Sequence, residues 1–255
     1  VNDNFNKYVK DIDLSPIHED PEHEPPTFYL PILPLVLANG TKGIATGFAT
    51  NILPHNPKDL KKACVQYLDK GKITIKPAIK FPEFTGTVEQ SKEDPTKYIA
   101  YGTFVRKGKT AVSITEVPYG FDREGYVKVL DKLEEEGDIV SYEDKCNKNG
   151  FHFEVKLKLA SAKWNDTKLI AKFKLGKPFS QNITVIDFDG KLREYTDARS
   201  LIKDFCDYRL GILQQRIYAR LKEYTEEVRW LNVKMEFIQA NIDGRIVFKD
   251  NTKVQ

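Results

Sequence analysis

The sequence predicts an α+β protein that ends in one long helix. Three observations support this fold class. Short apolar segments bounded by turn residues indicate strands in the middle of the chain, and capped helical segments lie between them. From about residue 197 the apolar residues recur with helical spacing. The 255 residues, 40% of them apolar, suffice for a packed core in one large domain or two small ones.

Charge and cysteine content narrow the class of protein. The 40 Lys and Arg residues face 37 Asp and Glu residues, so the net charge is only +3. A protein held on nucleic acid by bulk charge alone would be far more basic, so any DNA contact must use locally placed cations. The three cysteines are scattered without a C-x-x-C pair, which argues against zinc and favours a reducing, cytoplasmic location.

No segment predicts membrane insertion or secretion. The most apolar stretch, 28–38, is about half of the ~20 residues that a spanning helix needs, and Pro31 and Pro34 interrupt it. The start does not resemble a signal peptide. Because the chain opens on Val1 and stops at Gln255 without a termination signal, we expect a fragment of a longer polypeptide.

Local signals place the elements in order. Asn56 can cap a helix at 57–70 that Gly71 ends, and Asp122 can cap a second helix at 123–136. A further helix is predicted at 166–174. Strands are predicted at 73–79, 86–90, 98–105, 111–117 and 151–159, and a hairpin pairs 183–187 with 191–195 through Asp189-Gly190.

The C-terminal part predicts one helix from 197 to 242, about 65–70 Å long at ~1.5 Å per residue. Its apolar residues alternate at spacings of three and four, as in coiled coils, so this helix needs a partner helix. Asp243-Gly244 ends it, and the basic residues Arg209, Arg216, Arg220 and Lys222 are predicted on a solvated face. The residues that define the seam are Leu221, Tyr224, Val228, Leu231, Met235, Ile238 and Ile242.

Two segments invite a chemical interpretation. His18 and His23 lie five residues apart with Pro21 between them, whereas a zinc-protease helix needs two histidines four apart. Residues 11–34 therefore predict an acidic loop rather than a metal site, and a metal-dependent hydrolase is the weakest functional hypothesis.

The glycine-rich stretch 39–47 has neither the Walker nor the dinucleotide-binding spacing. It predicts a tight turn between packed elements, although its N–H groups could also bind an anion. Lys42 is predicted at the tip, where it would suit a DNA phosphate. Ile44 is either a core side chain or a wedge between base pairs.

The segment 26–56 resembles the type IIA DNA topoisomerases, whose pattern reads roughly P-x-x-I-P-x-x-L-x-N-G-x-x-G-I-x-x-G-x-x-[ST]-x-I-P-x-[HY]-N. Residues 114–118 resemble the family's I-x-E-[IL]-P, and 181–185 resemble the segment before its long helix. Asp204-Phe205 with Tyr208-Arg209 resembles the start of that helix, and 11–23 resembles the phage branch of the family.

The resemblance implies an ATP-dependent type II topoisomerase. Such an enzyme cuts both DNA strands through phosphotyrosyl links, passes a second duplex and reseals the break. It implies that Ile44 wedges into the DNA and that the loop lying against the duplex consists of Asn39, Gly40, Thr41, Lys42 and Gly43. The nucleophilic tyrosine is expected upstream of Val1, because Tyr8 is not preceded by arginine, so this chain is expected to contain no catalytic residue and no metal site.

The resemblance also implies the organisation and the partners. Residues 1–60 would form the C-terminal part of a winged-helix DNA-gate region, 61–196 a tower-like α+β domain, and 197–255 the first arm of a coiled coil. Expected partners are double-stranded DNA, a second copy bound through the gate and the coiled coil, and a large subunit carrying Mg²⁺ and ATP. The alternative is a non-catalytic DNA-bending or structural dimer module. A phage protein would act in the host cytoplasm.

Overall fold

The computed structural model describes residues 30–148 and 150–246. Tyr8, the histidines of the acidic segment and most of the loop predicted at 11–34 lie outside the described residues. The chain divides into two compact units, one of Leu33–Lys203 and one that includes residues 30–32 and 204–246.

The described residues contain five α-helices and eleven strands. The helices are α1 Leu35–Asn39, α2 Pro57–Lys70, α3 Arg123–Glu135, α4 Asp166–Lys172 and α5 Ala198–Ile242. The first strands are β1 Thr41–Ala45, β2 Phe48–Ile52, β3 Thr87–Gln90, β4 Lys97–Tyr101, β5 Thr103–Lys107 and β6 Ala111–Glu116. The later strands are β7 Ile139–Asp144, β8 Phe153–Leu157, β9 Gly176–Ser180, β10 Ile183–Ile186 and β11 Leu192–Tyr195.

The predicted helix caps are confirmed. The Asn56 side chain accepts a hydrogen bond from the Lys58 N–H at 3.0 Å, and Gly71 ends α2 in the left-handed conformation. The Asp122 carboxylate caps α3 by accepting from the Gly125 N–H at 2.8 Å. These local signals lie within a few residues of each helix end, so the sequence alone could place both helices.

The strands form four antiparallel sheets. Strands β5-β6-β8-β7 form one sheet and β3-β4-β9 another, while β1–β2 and β10–β11 are two-stranded hairpins. The hairpin predicted around Asp189-Gly190 is confirmed. Strands β7 and β9 were not predicted, because β7 ends in polar and acidic residues and β9 contains glycine and proline, all poor strand signals.

Two strand predictions need correction. The strand predicted at 73–79 is wrong: only Ile79 makes an isolated bridge, to His55. The Gln66 side chain instead accepts from the N–H groups of Thr74 and Ile75, and Pro77 has no N–H to give to a ladder. The strand predicted at 98–105 is divided between two sheets at Gly102, where a Cβ would lie 2.4 Å from the Glu116 carbonyl oxygen.

The main core packs α3 and α4 against the four-stranded sheet. Its fully buried side chains include Ile114 and Phe153 from the sheet, Leu130 from α3 and Leu169 from α4. Tyr126 of α3 is also buried, and its hydroxyl donates to the Phe173 carbonyl oxygen at 2.9 Å. Burial raises the pKa of Tyr126, so the hydroxyl keeps its proton and remains a donor.

Replacing Tyr126 with phenylalanine should lower the free energy of unfolding by about 1–3 kcal/mol, because a buried carbonyl loses its hydrogen-bond donor while the ring stays in place. Urea denaturation of the wild type and the variant measures this difference. The matched control is Tyr119→Phe, at a tyrosine that is 37% exposed, where a change within about 0.5 kcal/mol is expected. Equal effects at the two positions would contradict the role assigned to the buried hydroxyl.

Helix α5 is confirmed as a single helix of 45 residues. We define the helix seam as Leu221, Tyr224, Val228, Leu231, Met235, Ile238 and Ile242. Every seam residue is more than half exposed. A continuous apolar stripe of this length is typical of a helix surface that a partner helix covers.

Arg209 corrects the prediction that the basic residues of α5 all lie on a solvated face. One of its guanidinium nitrogens donates to the Pro31 carbonyl oxygen at 2.8 Å, and the side chain is only partly exposed. It therefore ties α5 to the chain segment at residues 30–31.

Candidate nucleic-acid interface

The glycine-rich stretch forms one strand of the β1–β2 hairpin. The structure replaces the predicted tight turn at 39–47 with a strand that ends in the two-residue turn Thr46-Gly47, where Gly47 has a positive φ of 84°. Gly40 starts the hairpin at φ 72°, and a Cβ there would lie 2.7 Å from the Ile52 carbonyl oxygen. Only glycine fits this close approach, so Gly40 fixes where the hairpin leaves the body of the protein.

Ile44 lies near the end of this hairpin and is 87% exposed. It pairs with Ala49 across the ladder, while Phe48, which is 57% exposed, pairs with Ala45 on the opposite face. The core alternative for Ile44 is therefore wrong. The hairpin carries a large apolar side chain into solvent on each of its faces, close to its turn.

Lys42 shares a face with Ile44, since side chains two residues apart in a strand point to the same side. It pairs with Asn51 and is exposed, but it does not lie at the tip as predicted: Thr46-Gly47 forms the turn. The other residues predicted at the interface are placed along the start of the hairpin. Asn39 is exposed at the end of α1, and Thr41 is exposed in β1.

Some of these groups already have local partners. The Thr41 hydroxyl donates to the Gly40 carbonyl oxygen at 2.8 Å, and Gly43 is paired with Thr50 inside the ladder. The face available to an incoming ligand therefore combines one cation, Lys42, with one apolar side chain, Ile44. This combination can bind a polyanion with an apolar interior, and it contains no nucleophile.

The hairpin is anchored by a segment that the residue patterns did not identify as part of the site. The N–H and C=O groups of Asn51 and Asn182 exchange hydrogen bonds of 3.0 and 2.9 Å. The Gln181 side chain accepts from the Leu53 N–H at 3.2 Å. These partners lie more than 120 residues apart in sequence, so no local pattern could reveal the contact.

His55 follows the hairpin and lies inside the protein, at 2% exposure. Its main-chain N–H donates to the Leu37 carbonyl oxygen at 2.7 Å. Burial lowers the pKa of His55, so the ring is held in the neutral form. His55 therefore belongs to the packing beneath the hairpin and not to its exposed face.

The structure offers neither a metal cluster nor a membrane span among residues 30–148 and 150–246. No three His, Cys, Asp or Glu side chains gather there in a way that could hold a metal ion. No helix in this part of the chain combines the length and apolarity needed to cross a bilayer. The histidine segment considered for a metal lies outside the described residues.

The fold is similar to that of a DNA-cleaving enzyme domain. The solved structure of the Plasmodium falciparum topoisomerase II DNA-binding, cleavage and re-ligation domain aligns with a TM-score of 0.75 and 26% identity. The alignment covers 89% of this chain and 32% of that one. Residues 5–255 match the family model of the DNA gyrase/topoisomerase IV A subunits, and the chain belongs to this family. The resemblance to type IIA topoisomerases is thus confirmed.

Individual relatives agree with this membership. The DNA topoisomerase medium subunit of Enterobacteria phage T4 is 44% identical over 259 residues, which cover 99% of this chain and 58% of that protein. DNA topoisomerase 2 of Candida glabrata is 30% identical, over 94% of this chain and 17% of that protein. This chain therefore spans little more than half of the phage relative and a small part of the eukaryotic one.

Proposed function

We propose that this chain is part of an ATP-dependent type II DNA topoisomerase, in which it binds and bends the DNA that is to be cut and supports dimerisation. The intact enzyme cuts both strands through phosphotyrosyl links, passes a second duplex and reseals the break. The observation that carries this proposal is the exposed Ile44 on an anchored hairpin, in a chain of the gyrase and topoisomerase IV family.

In this proposal Ile44 enters a base step and unstacks it. Apolar wedges of this kind kink a duplex by roughly 20–90°, at a cost of a few kcal/mol for the unstacked step. Lys42, on the same face of the hairpin, neutralises a phosphate beside the step. Asn39, Gly40, Thr41 and Gly43 set the backbone of the hairpin against the duplex.

We infer the finer architecture from the family resemblance. Residues 1–60 form the end of a winged-helix gate region, 61–196 a tower-like domain, and 197–255 the first arm of a coiled coil. The exposed helix seam of α5 supports this last assignment, because it has coiled-coil spacing. Two copies associate through the gate and the coiled coil.

Mg²⁺ and ATP bind to a partner, the large subunit, in this proposal. Bound there, the metal would supply positive charge to the phosphate under attack, and ATP would supply the energy for the cycle. The enzyme acts in the cytoplasm of the host cell if it comes from a phage. The non-catalytic DNA-bending module is the weaker alternative, because the relatives named above are topoisomerases.

The test of this function is a relaxation assay with supercoiled plasmid. The full-length protein and its large subunit should relax the plasmid and change its linking number by two in each step. Relaxation should require both proteins, Mg²⁺ and ATP. Nicking without relaxation, or bending without strand passage, would favour the non-catalytic module.

Replacing Lys42 with alanine should weaken binding to every duplex sequence by a similar factor, because a phosphate contact carries no sequence information. The slope of log K against log salt should become shallower by about one. Fluorescence anisotropy titrations at several salt concentrations measure both quantities. Lys128→Ala, at an exposed lysine of α3, controls for the loss of one charge and should leave the slope unchanged. A sequence-selective loss would contradict the phosphate role of Lys42.

A further inference from the structure

The β1–β2 hairpin has little of its own to hold it in place. All five residues of β1 are exposed, and an isolated two-stranded hairpin is marginally stable in water. The orientation of Ile44 must therefore be fixed from the β2 side, where residues 180–182 run alongside.

Asn182 forms hydrogen bonds with three residues of β2, the first of them from the Thr50 hydroxyl to its carbonyl oxygen at 3.4 Å. Its main-chain N–H and C=O pair with Asn51 at 2.9 and 3.0 Å. Its side-chain Nδ2 donates to the Ala49 carbonyl oxygen at 2.8 Å. Ala49 is the residue that faces Ile44 across the ladder. The amide of Asn182 thus holds the β2 residue directly opposite the proposed wedge.

Thr184 holds the other end of the Asn182 side-chain amide. Its hydroxyl donates to the Asn182 Oδ1 at 2.7 Å. Because a carbonyl oxygen only accepts hydrogen bonds, the Ala49 carbonyl requires Nδ2, and Oδ1 is left for the Thr184 hydroxyl. The amide is therefore held from both ends, one on β10 and one on β2.

We propose that Asn182 is a positioning residue, which fixes the angle of the hairpin so that Ile44 can act as a wedge. This inference rests on the proposed DNA-bending function. Unstacking a base step costs a few kcal/mol, so the duplex resists the wedge. The hairpin that carries the wedge must therefore be held rigidly. Hydrogen bonds to Asn51 and to Ala49, two residues apart, restrict rotation of the hairpin, whereas a single contact would allow it.

Two substitutions test this role. Asn182→Asp keeps the size, the main-chain pair and the acceptor for Thr184, but it turns a carboxylate oxygen toward the Ala49 carbonyl. Asn182→Ala removes the grip without adding charge. Amide hydrogen exchange within 41–52 should become about three to ten times faster in both variants, while exchange in α3 and the midpoint of unfolding stay unchanged.

The DNA readout uses the full-length protein at saturating concentration and a short duplex with a dye on each end. Both variants should reduce energy transfer between the ends, because the bend is smaller. Two controls should keep the wild-type values. Thr184→Ser retains the hydroxyl, and Asn165→Asp places a carboxylate at the cap of α4, where Asn165 accepts from the Lys168 N–H at 2.9 Å.

Three outcomes would overturn the inference. Unchanged exchange within 41–52 would show that the side-chain grip is dispensable. Faster exchange throughout the chain, with a lower midpoint of unfolding, would reduce Asn182 to an ordinary stabilising residue. Bending lost in Ile44→Ala but kept in both Asn182 variants would remove the positioning role alone, whereas bending kept in Ile44→Ala as well would overturn the proposed function itself.

Discussion

Replacing Ile44 with alanine is expected to reduce DNA bending strongly and to lower the rate of DNA cleavage by about tenfold to a hundredfold. A rate loss of this size corresponds to about 1.4–2.8 kcal/mol. The physical reason is that an unstacked base step loses its stacking partner and needs an apolar side chain to take its place. A methyl group is too short to fill that gap, so the duplex relaxes toward its straight form.

Folding should not be affected, because Ile44 is 87% exposed and makes no contribution to the core. End-to-end energy transfer on a labelled duplex measures the bend, and trapping of the covalent complex with detergent measures cleavage. Both use the full-length protein with the proposed large subunit.

The matched control is Ile186→Ala. Ile186 is also an isoleucine near the end of a two-stranded hairpin, and it is 75% exposed. The two substitutions remove the same atoms from similar surroundings, so a general loss of surface apolarity would affect both. We expect wild-type bending in Ile186→Ala. Unchanged bending in Ile44→Ala would remove Ile44 from the interface.

Much of the fold could be predicted because its signals are local. Asn56, Asp122 and the Asp189-Gly190 turn each act on residues within a few positions, so they place α2, α3 and the β10–β11 hairpin. The apolar residues of the α5 seam recur at spacings of three and four over many helical turns. A strand or a short helix could not produce this pattern. These elements are specified by the chain segments that form them.

The β1–β2 hairpin escaped prediction because glycine is a poor strand former. Gly43 and Gly47 indicate a loop by composition, yet the ladder from Thr41 to Ile52 overrides that tendency. The separation of β4 and β5 at Gly102 has a similar origin: the contact with the Glu116 carbonyl is a tertiary constraint that a window of residues cannot show.

Only part of the candidate site could be predicted from the sequence, because the rest depends on tertiary contacts. Residue patterns left Ile44 between core and surface, and the family resemblance supplied its proposed role. Its exposure could be settled only when the ladder gave Ile44 a face. The contacts of Asn182 with β2 depend on pairing between segments about 130 residues apart. This pairing forms only on folding, so the sequence of neither segment predicts it.

Replacing Leu231 with lysine is expected to raise the dissociation constant of the proposed dimer by more than about a hundredfold. Leu231 lies in the middle of the helix seam and is exposed in the single chain. Burying a leucine stabilises an interface by about 1.5–3 kcal/mol. A symmetric dimer loses this contribution twice, and each ~1.4 kcal/mol changes the dissociation constant tenfold.

The loss should come from pairing and not from the helix itself, since lysine favours helices about as well as leucine does. Circular dichroism should therefore report the wild-type helix content, while sedimentation equilibrium of the full-length protein reports the weaker association. Leu231→Met is the matched control, because a swap that conserves volume usually costs less than about 1.5 kcal/mol. If Leu231→Lys dimerises as tightly as the wild type, the seam of α5 is not buried between subunits, and dimerisation must depend on other surfaces.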